Sequence, residues 1–107
     1  MSAGNTRSMT FRASVGEAVA ALQDAAGRAG MQLLSSDAAS GIFVFTAGRM
    51  VLAAGEKVTA QISEVAPGTV QVTLSSNLQF GVGNIGRNGA ARDRMGDALA
   101  QLLPPAA

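Results

Sequence analysis

The stretch that decides the fold is residues 41–76, GIFVFTAGRMVLAAGEKVTAQISEVAPGTVQVTLSS. Its second half alternates between apolar and polar residues on both sides of the Pro67-Gly68 pair. The apolar residues of one parity are Val58, Ala60 and Ile62 before this pair, and Val70, Val72 and Leu74 after it. A period of two predicts strands with one buried face and one face in water, as in an antiparallel sheet. The proline and glycine predict the turn between these two strands.

The strand predicted at Ile42–Phe45 is apolar on both parities. Either something covers its second face, or that face is a contact surface. The candidate interaction surface consists of Phe43, Phe45, Met50 and Leu52. The alternative is that residues 50–52 fold over the strand and cover it, in which case no contact surface is left there.

The residues before this stretch predict a strand, a helix and a second strand. Residues 9–13 alternate as a short strand does. Ser14 and Glu17 have the spacing of a capping box, in which each side chain accepts a hydrogen bond from the backbone of the other. Apolar residues then share one arc of a helix that Gly30 ends. Residues 31–36 form the next strand.

The residues after this stretch predict one closing helix that ends near Leu103, before the Pro104-Pro105 pair. The element order is therefore β-α-β-β-β-β-α. This order predicts an α+β fold, a single curved five-stranded antiparallel sheet with two helices on one face. We expect residues 1–8 to form a disordered leader, residues 9–103 a single domain and residues 104–107 a tail.

Composition argues against several classes of function. The 107 residues include no cysteine and no histidine, which removes thiolate chemistry, the commonest metal ligand and the commonest general base. Ser75-Ser76 have neither a G-x-S-x-G nor an S-x-x-K context. We therefore expect no enzyme, no cofactor and no metal site.

Charge and hydropathy bear on partners and location. The formal net charge of +1 gives no basic field for a nucleic-acid partner. No stretch approaches the roughly 20 apolar residues that span a bilayer, and the N-terminal residues show no apolar targeting segment. The expected location is cytoplasmic, without a membrane partner.

A glycine-rich loop precedes the last helix and matches the pattern G-x-G-x-x-G. A dinucleotide site would need a further parallel strand and an acidic residue about 20 positions on, and the sequence ends without them. A simpler hypothesis is a small-anion or nucleotide-phosphate site made by loop amides and two arginines. Its residues are Gly81, Gly83, Gly86, Arg87 and Arg92. Asn88 is predicted to be a structural tether for this loop rather than a ligand contact.

The element order resembles one repeat of the TATA-box-binding-protein-like fold. The chain also resembles small bacterial domains of unknown function that end in a strand, a serine pair, a glycine-containing loop and a G-x-N helix start. The matching residues are Ser75-Ser76, Gly81, Gly83 and Gly86-Arg87-Asn88. The resemblance implies architecture and no agreed activity. Phe43 and Phe45 invite comparison with the paired phenylalanines of the eukaryotic factor, but Lys57 is the only cation on the polar sheet face.

Three hypotheses about function remain. The first is a non-enzymatic binding or protein-interaction module that self-associates through the sheet face around Phe43 and Phe45, or through an edge strand. The second is anion or nucleotide-phosphate binding at residues 81–89. The third is an apolar-ligand carrier between sheet and helices, although the alanine-rich first helix favours close packing there.

Overall fold

The computed structural model describes residues 6–47, 56–78 and 90–106. Within them the chain has the predicted element order. The elements are β1 (Thr6–Arg12), α1 (Val15–Arg28), β2 (Met31–Asp37), β3 (Ile42–Ala47), β4 (Glu56–Ala66), β5 (Thr69–Leu78) and α2 (Ala90–Leu102). The predicted α+β class with a five-stranded antiparallel sheet is confirmed.

The sheet has the strand order β1-β5-β4-β3-β2, and every pair of neighbours is antiparallel. Strands β2 to β5 are consecutive neighbours, whereas α1 carries the chain from one edge, β1, to the other, β2. Gly41 and Gly68 have positive φ angles of 74° and 76° in the turns before β3 and β5. At Gly41 a Cβ atom would also collide with the carbonyl oxygen of Ile62. This turn therefore requires glycine.

Both helices pack on one face of the sheet, which we call the inner face. Helix α1 contacts β2 and β4, helix α2 contacts β1, β4 and β5, and the two helices contact each other. The largest fully buried apolar side chains are Phe45, Leu22, Leu74, Met95, Leu99, Val58, Val70 and Val72. Ser76 is the buried polar residue among the described ones, and its hydroxyl is not left without a partner.

Phe43 and Phe45 belong to this core, so the prediction that they form an interaction surface is wrong. Their exposed fractions are 3% and 1%. In the sheet register Phe43 pairs with Ala60 and Phe45 pairs with Val58, both of which are fully buried on the inner face. The sequence showed that Ile42–Phe45 is apolar on both sides, but the side that the helices cover is the one with the phenylalanines.

Helix α1 begins as predicted. Ser14 Oγ accepts a hydrogen bond from the Glu17 amide at 3.1 Å, and Glu17 Oε1 accepts one from the Ser14 amide at 2.9 Å. This reciprocal pair satisfies two amides that the first turn of a helix leaves without intrahelical partners. After the helix, Gly30 has a φ angle of 78°.

Both ends of the described chain differ from the expected boundaries. Strand β1 begins at Thr6, inside the predicted leader, and Thr6 pairs with Ser75 of β5. The predicted tail lies along the free side of β1. The Arg12 amide donates to the carbonyl oxygen of Pro104 at 2.8 Å, and the Ala106 amide donates to that of Thr10 at 3.0 Å. Residues 104–106 thus cover the C-terminal part of the β1 edge, from Thr10 to Arg12.

Neither helix within the described ranges has the length and hydropathy that crossing a membrane would require.

Candidate functional site: the outer face of the sheet

The side of the sheet opposite the helices, called the outer face below, carries the side chains of the second parity. In β1, β3, β4 and β5 these are Thr6, Ser8, Thr10, Ile42, Val44, Thr46, Lys57, Thr59, Gln61, Ser63, Thr69, Gln71, Thr73 and Ser75. Most of them are uncharged and hydrogen-bonding, and Lys57 is charged. By the same register Arg12, opposite Thr69, and Asp37 of β2, opposite Ile42, also belong to this face, so its charged residues lie at or next to the ends of their strands. The polar alternation predicted for the two long strands is confirmed.

The register lines these side chains up in rows across the strands. One row is Ser8, Thr73, Gln61 and Ile42, and a second is Thr6, Ser75, Thr59 and Val44. In the first row the hydroxyls of Ser8 and Thr73 are hydrogen-bonded at 3.1 Å. Cross-strand neighbours of this kind lie about 5 Å apart, so the rows form a continuous surface of hydroxyl and amide groups that leads to two aliphatic side chains. Beyond these, Asp37 and Ser35 of β2 continue the two rows.

Ile42 and Val44 form the apolar part of the outer face. Both are half-buried. Their neighbours on β4 are the uncharged Gln61 and Thr59. The apolar second side expected of this strand therefore exists, but it consists of Ile42 and Val44 instead of the phenylalanines. Met50 and Leu52, the other two residues of the predicted surface, lie outside the described residues, as does the alternative in which residues 50–52 cover it.

The predicted anion site falls mostly outside the described residues, which include neither Gly81, Gly83, Gly86 nor Arg87, nor the predicted tether Asn88. Arg92 is described. Its side chain is 12% exposed, and its Nε donates to Asp93 Oδ1 at 3.1 Å. An anion at this guanidinium would compete with a carboxylate that already lies beside it.

A charge cluster on the rim of the inner face joins β1 to α2. Arg7 donates to the carbonyl oxygen of Asp93 at 3.2 Å and to Asp97 Oδ1 at 3.2 Å. Sequence analysis missed this role of Arg7, because the residue fell within the expected leader. The available signal was Gly96, a glycine within a predicted helix, which lies beneath the guanidinium. These contacts hold the helix on the sheet.

A groove lies between α1 and the C-terminal end of α2. This groove has a volume of about 490 Å³, and its lining includes Arg12, Glu17, Asp24 and Leu103. Glu17 is engaged in the capping box, and Asp24 pairs with Arg28 at 3.3 Å. Both carboxylates of the groove are thus already in contact with other groups.

The carrier hypothesis needs space between sheet and helices. In α1 the residues that face the sheet include Ala18, Leu22 and Ala25, all of them fully buried. They pack into the same core as the sheet residues, so the described part of the interface between α1 and the sheet is closely packed.

Comparisons with known proteins find similarity among solved structures. No family model matches the chain, and no curated protein matches it. Among solved structures, the di-domain aromatase/cyclase StfQ from the steffimycin biosynthetic pathway is similar, with a TM-score of 0.47 and 13% sequence identity. The match covers 91% of this chain and 42% of StfQ, so the chain spans less than half the length of that structure.

This comparison corrects one expectation. The expectation that the chain is not an enzyme is contradicted, because the similar structure is that of an aromatase/cyclase, and we withdraw it. The likeness is one of overall shape, and the activity named is that of StfQ. The element order expected from the TATA-box-binding-protein-like fold is observed, while the closer resemblance to small bacterial domains remains a prediction.

Proposed function

We propose that this chain is a protein-binding module that self-associates through the outer face of its sheet. The observation that supports this most strongly is the chemistry of that face: rows of uncharged hydroxyl and amide side chains that lead to the aliphatic Ile42 and Val44. The partner on which the proposal rests is a second copy of the same chain.

The scarcity of charge in the rows of the outer face favours contact with protein, since Asp37 at the β2 end is the one charged residue in the two rows. The cores of protein interfaces are depleted in charged residues, because burying an unpaired charge is costly. A second copy would bring the same hydroxyls and amides, which act as both donors and acceptors. Each hydrogen bond to water that is lost at the contact can then be replaced across it.

The size of the face sets the expected strength of the contact. Five strands about 4.8 Å apart, each showing about seven residues at about 3.4 Å, give a face of roughly 24 Å by 24 Å. That corresponds to an area on the order of 550 Å² per copy, below the roughly 800 Å² per partner of a standard interface. The expected dimer is therefore reversible, and its dissociation constant is expected in the micromolar range.

The dimer would be two-fold symmetric, with the same residues of both copies in contact. Lys57 lies at one end of β4, where it pairs in register with Thr46 and Asn77. In this position its ammonium group can stay at the rim of the contact, in water. This arrangement avoids burial of two like charges.

Sedimentation equilibrium over a concentration series tests the proposal. The wild-type chain is expected to dimerise, and Val44→Lys, which places a charge in the apolar part of the face, is expected to remain monomeric. The matched control is Gln23→Lys, which adds the same charge at an exposed position of α1 and should dimerise like the wild type. Thermal unfolding of each variant verifies that it is folded.

Two outcomes would contradict the proposal. The first is a wild-type chain that stays monomeric at concentrations on the order of 1 mM. The second is a folded Val44→Lys variant that dimerises as strongly as the wild type.

A further inference from the structure

The two edges of the sheet differ. On the β1 edge the chain supplies its own extended segment, since Pro104 and Ala106 make backbone hydrogen bonds with Arg12 and Thr10 at 2.8 and 3.0 Å. On the opposite edge lies β2, which has a strand neighbour on one side only among the described residues. The backbone groups on its other side are those that a further strand would use.

Strand β2 has few of the features that usually protect a free edge. Edge strands commonly carry prolines or charged residues such as lysine. In β2, with the sequence MQLLSSD, Asp37 at the C-terminal end is the one charged residue, and proline is absent. Leu33 and Leu34 are 46% and 58% exposed, two of the most exposed large apolar side chains described.

A bulge limits what this edge can pair with. The register against β3 shifts between Leu33 and Ser35, and a bulge of this type bends and twists the strand. Indefinite edge-to-edge stacking requires a long, flat strand, and the bulge disfavours it. One short segment can still pair with either half of β2.

We propose that β2 is a docking edge for an extended segment of a partner polypeptide, which adds to the sheet as a sixth strand. The backbone of the segment supplies the hydrogen bonds, and an apolar side chain beside Leu33 supplies hydrophobic contact. A basic residue of the segment lies opposite Asp37. The exposed carboxylate of Asp37 takes part in none of the ion pairs found among the described residues.

The charge of Asp37 favours such a segment over a second copy of β2. If two β2 strands paired antiparallel around Leu34, residue 37 of one copy would lie opposite residue 31 of the other. That residue is Met31, which offers the carboxylate no cation. A partner segment with lysine or arginine at this position gives the opposite charge that the edge lacks.

The probe is a synthetic peptide with the alternation of a strand, acetyl-Lys-Val-Thr-Val-Thr-Leu-Lys-amide. It is titrated into isotopically labelled wild-type chain, and backbone amide signals are followed by NMR. The control peptide has glutamate in place of both lysines. We expect the Gln32 and Ser36 amides to shift with the lysine peptide, at concentrations on the order of 1 mM or below.

Charge reversal makes the test specific. Replacing Asp37 with lysine should weaken binding of the lysine peptide and strengthen that of the glutamate peptide, each by about threefold to fivefold, the effect of one exposed ion pair. The variant Asp37→Asn should bind both peptides alike. The outer-face variant Thr73→Lys, on β5, which β4 and β3 separate from β2, should bind the lysine peptide like the wild type.

Three results would overturn the proposal. The first is unmoved β2 amides at the highest peptide concentration. The second is equal affinity of wild type for both peptides. The third is a shift of the β2 amides with protein concentration alone in the outer-face variant Thr73→Lys, which would identify a second copy as the occupant. Because the Thr73→Lys control affects only the outer face, loss of self-association and loss of peptide binding can be told apart.

Discussion

The guanidinium group of Arg7 in β1 lies directly over Gly96 of α2. A Cβ atom at position 96 would be 2.7 Å from Cζ of Arg7. The absence of a side chain at Gly96 allows Arg7 to reach the backbone of Asp93 and the carboxylate of Asp97. The two residues are therefore expected to be energetically coupled.

A double-mutant cycle measures this coupling. In the Arg7→Ala background, Gly96→Ala should stabilise the chain by about 1 kcal/mol, because alanine is the better helix former. With Arg7 present, Gly96→Ala should stabilise the chain less. The new methyl group displaces the guanidinium from contacts worth up to about 1 kcal/mol. Urea unfolding of the four proteins gives the free energies. Equal effects of Gly96→Ala in both backgrounds would show that the two residues are not coupled.

The capping box at the start of α1 gives a second prediction. Ser14→Ala should lower the free energy of unfolding by about 1 kcal/mol, because the Glu17 amide loses its acceptor. Ser14→Asp keeps an acceptor oxygen and should lie close to the wild type. Both variants can be compared by urea unfolding. A Ser14→Ala variant as stable as Ser14→Asp would mean that the cap contributes nothing measurable.

Substitution of two glycines with positive φ angles distinguishes the cost of conformational strain from that of steric collision. Gly30 and Gly41 have φ angles of 78° and 74°, but only the Cβ of a residue at 41 would meet the backbone of Ile62. Gly30→Ala should cost about 1 kcal/mol of conformational strain. Gly41→Ala should cost more, about 2 kcal/mol or above, since backbone atoms must also move. Thermal unfolding ranks the two variants, and the reverse order would contradict the described turn.

Truncation of adjacent residues of β3 is predicted to destabilise the chain to very different extents. Phe45→Ala should destabilise the chain by about 3–5 kcal/mol, as is usual for a phenylalanine in a packed core. Val44→Ala, on the half-buried outer face, should cost less than about 1 kcal/mol. Chemical denaturation of both variants is the measurement. Similar costs at the two positions would mean that the assignment of the two faces is wrong.

The fold could be predicted because its local signals agree. Alternation in residues 57–75, the Ser14–Glu17 spacing and the Pro67-Gly68 turn each specify one element on local grounds. The order of strands in the sheet was not accessible in this way. No local feature near Thr6 or Ser75 predicts that these residues pair. Their contact depends on the tertiary arrangement in which α1 crosses the sheet.

The candidate site was predicted only in part. A strand with apolar residues on both faces was correctly identified at Ile42–Phe45. Because both faces are apolar, the sequence pattern did not predict which of them would contact the helices. The phenylalanines lie in the core on the inner face, and Ile42 and Val44 are left on the outer face. The position of β2 at the edge of the described sheet could not be foreseen either, since it depends on strand order.

The central claim is that the outer face of the sheet forms the contact between two copies, and a concentration series of NMR spectra tests it most directly. Between about 20 µM and 1 mM, the side-chain methyl signals of Ile42, Val44 and Thr73 are expected to shift, while those of Ala18 and Leu22 in α1 stay in place. Signals that are all independent of concentration, or shifts confined to the helices, would contradict the account.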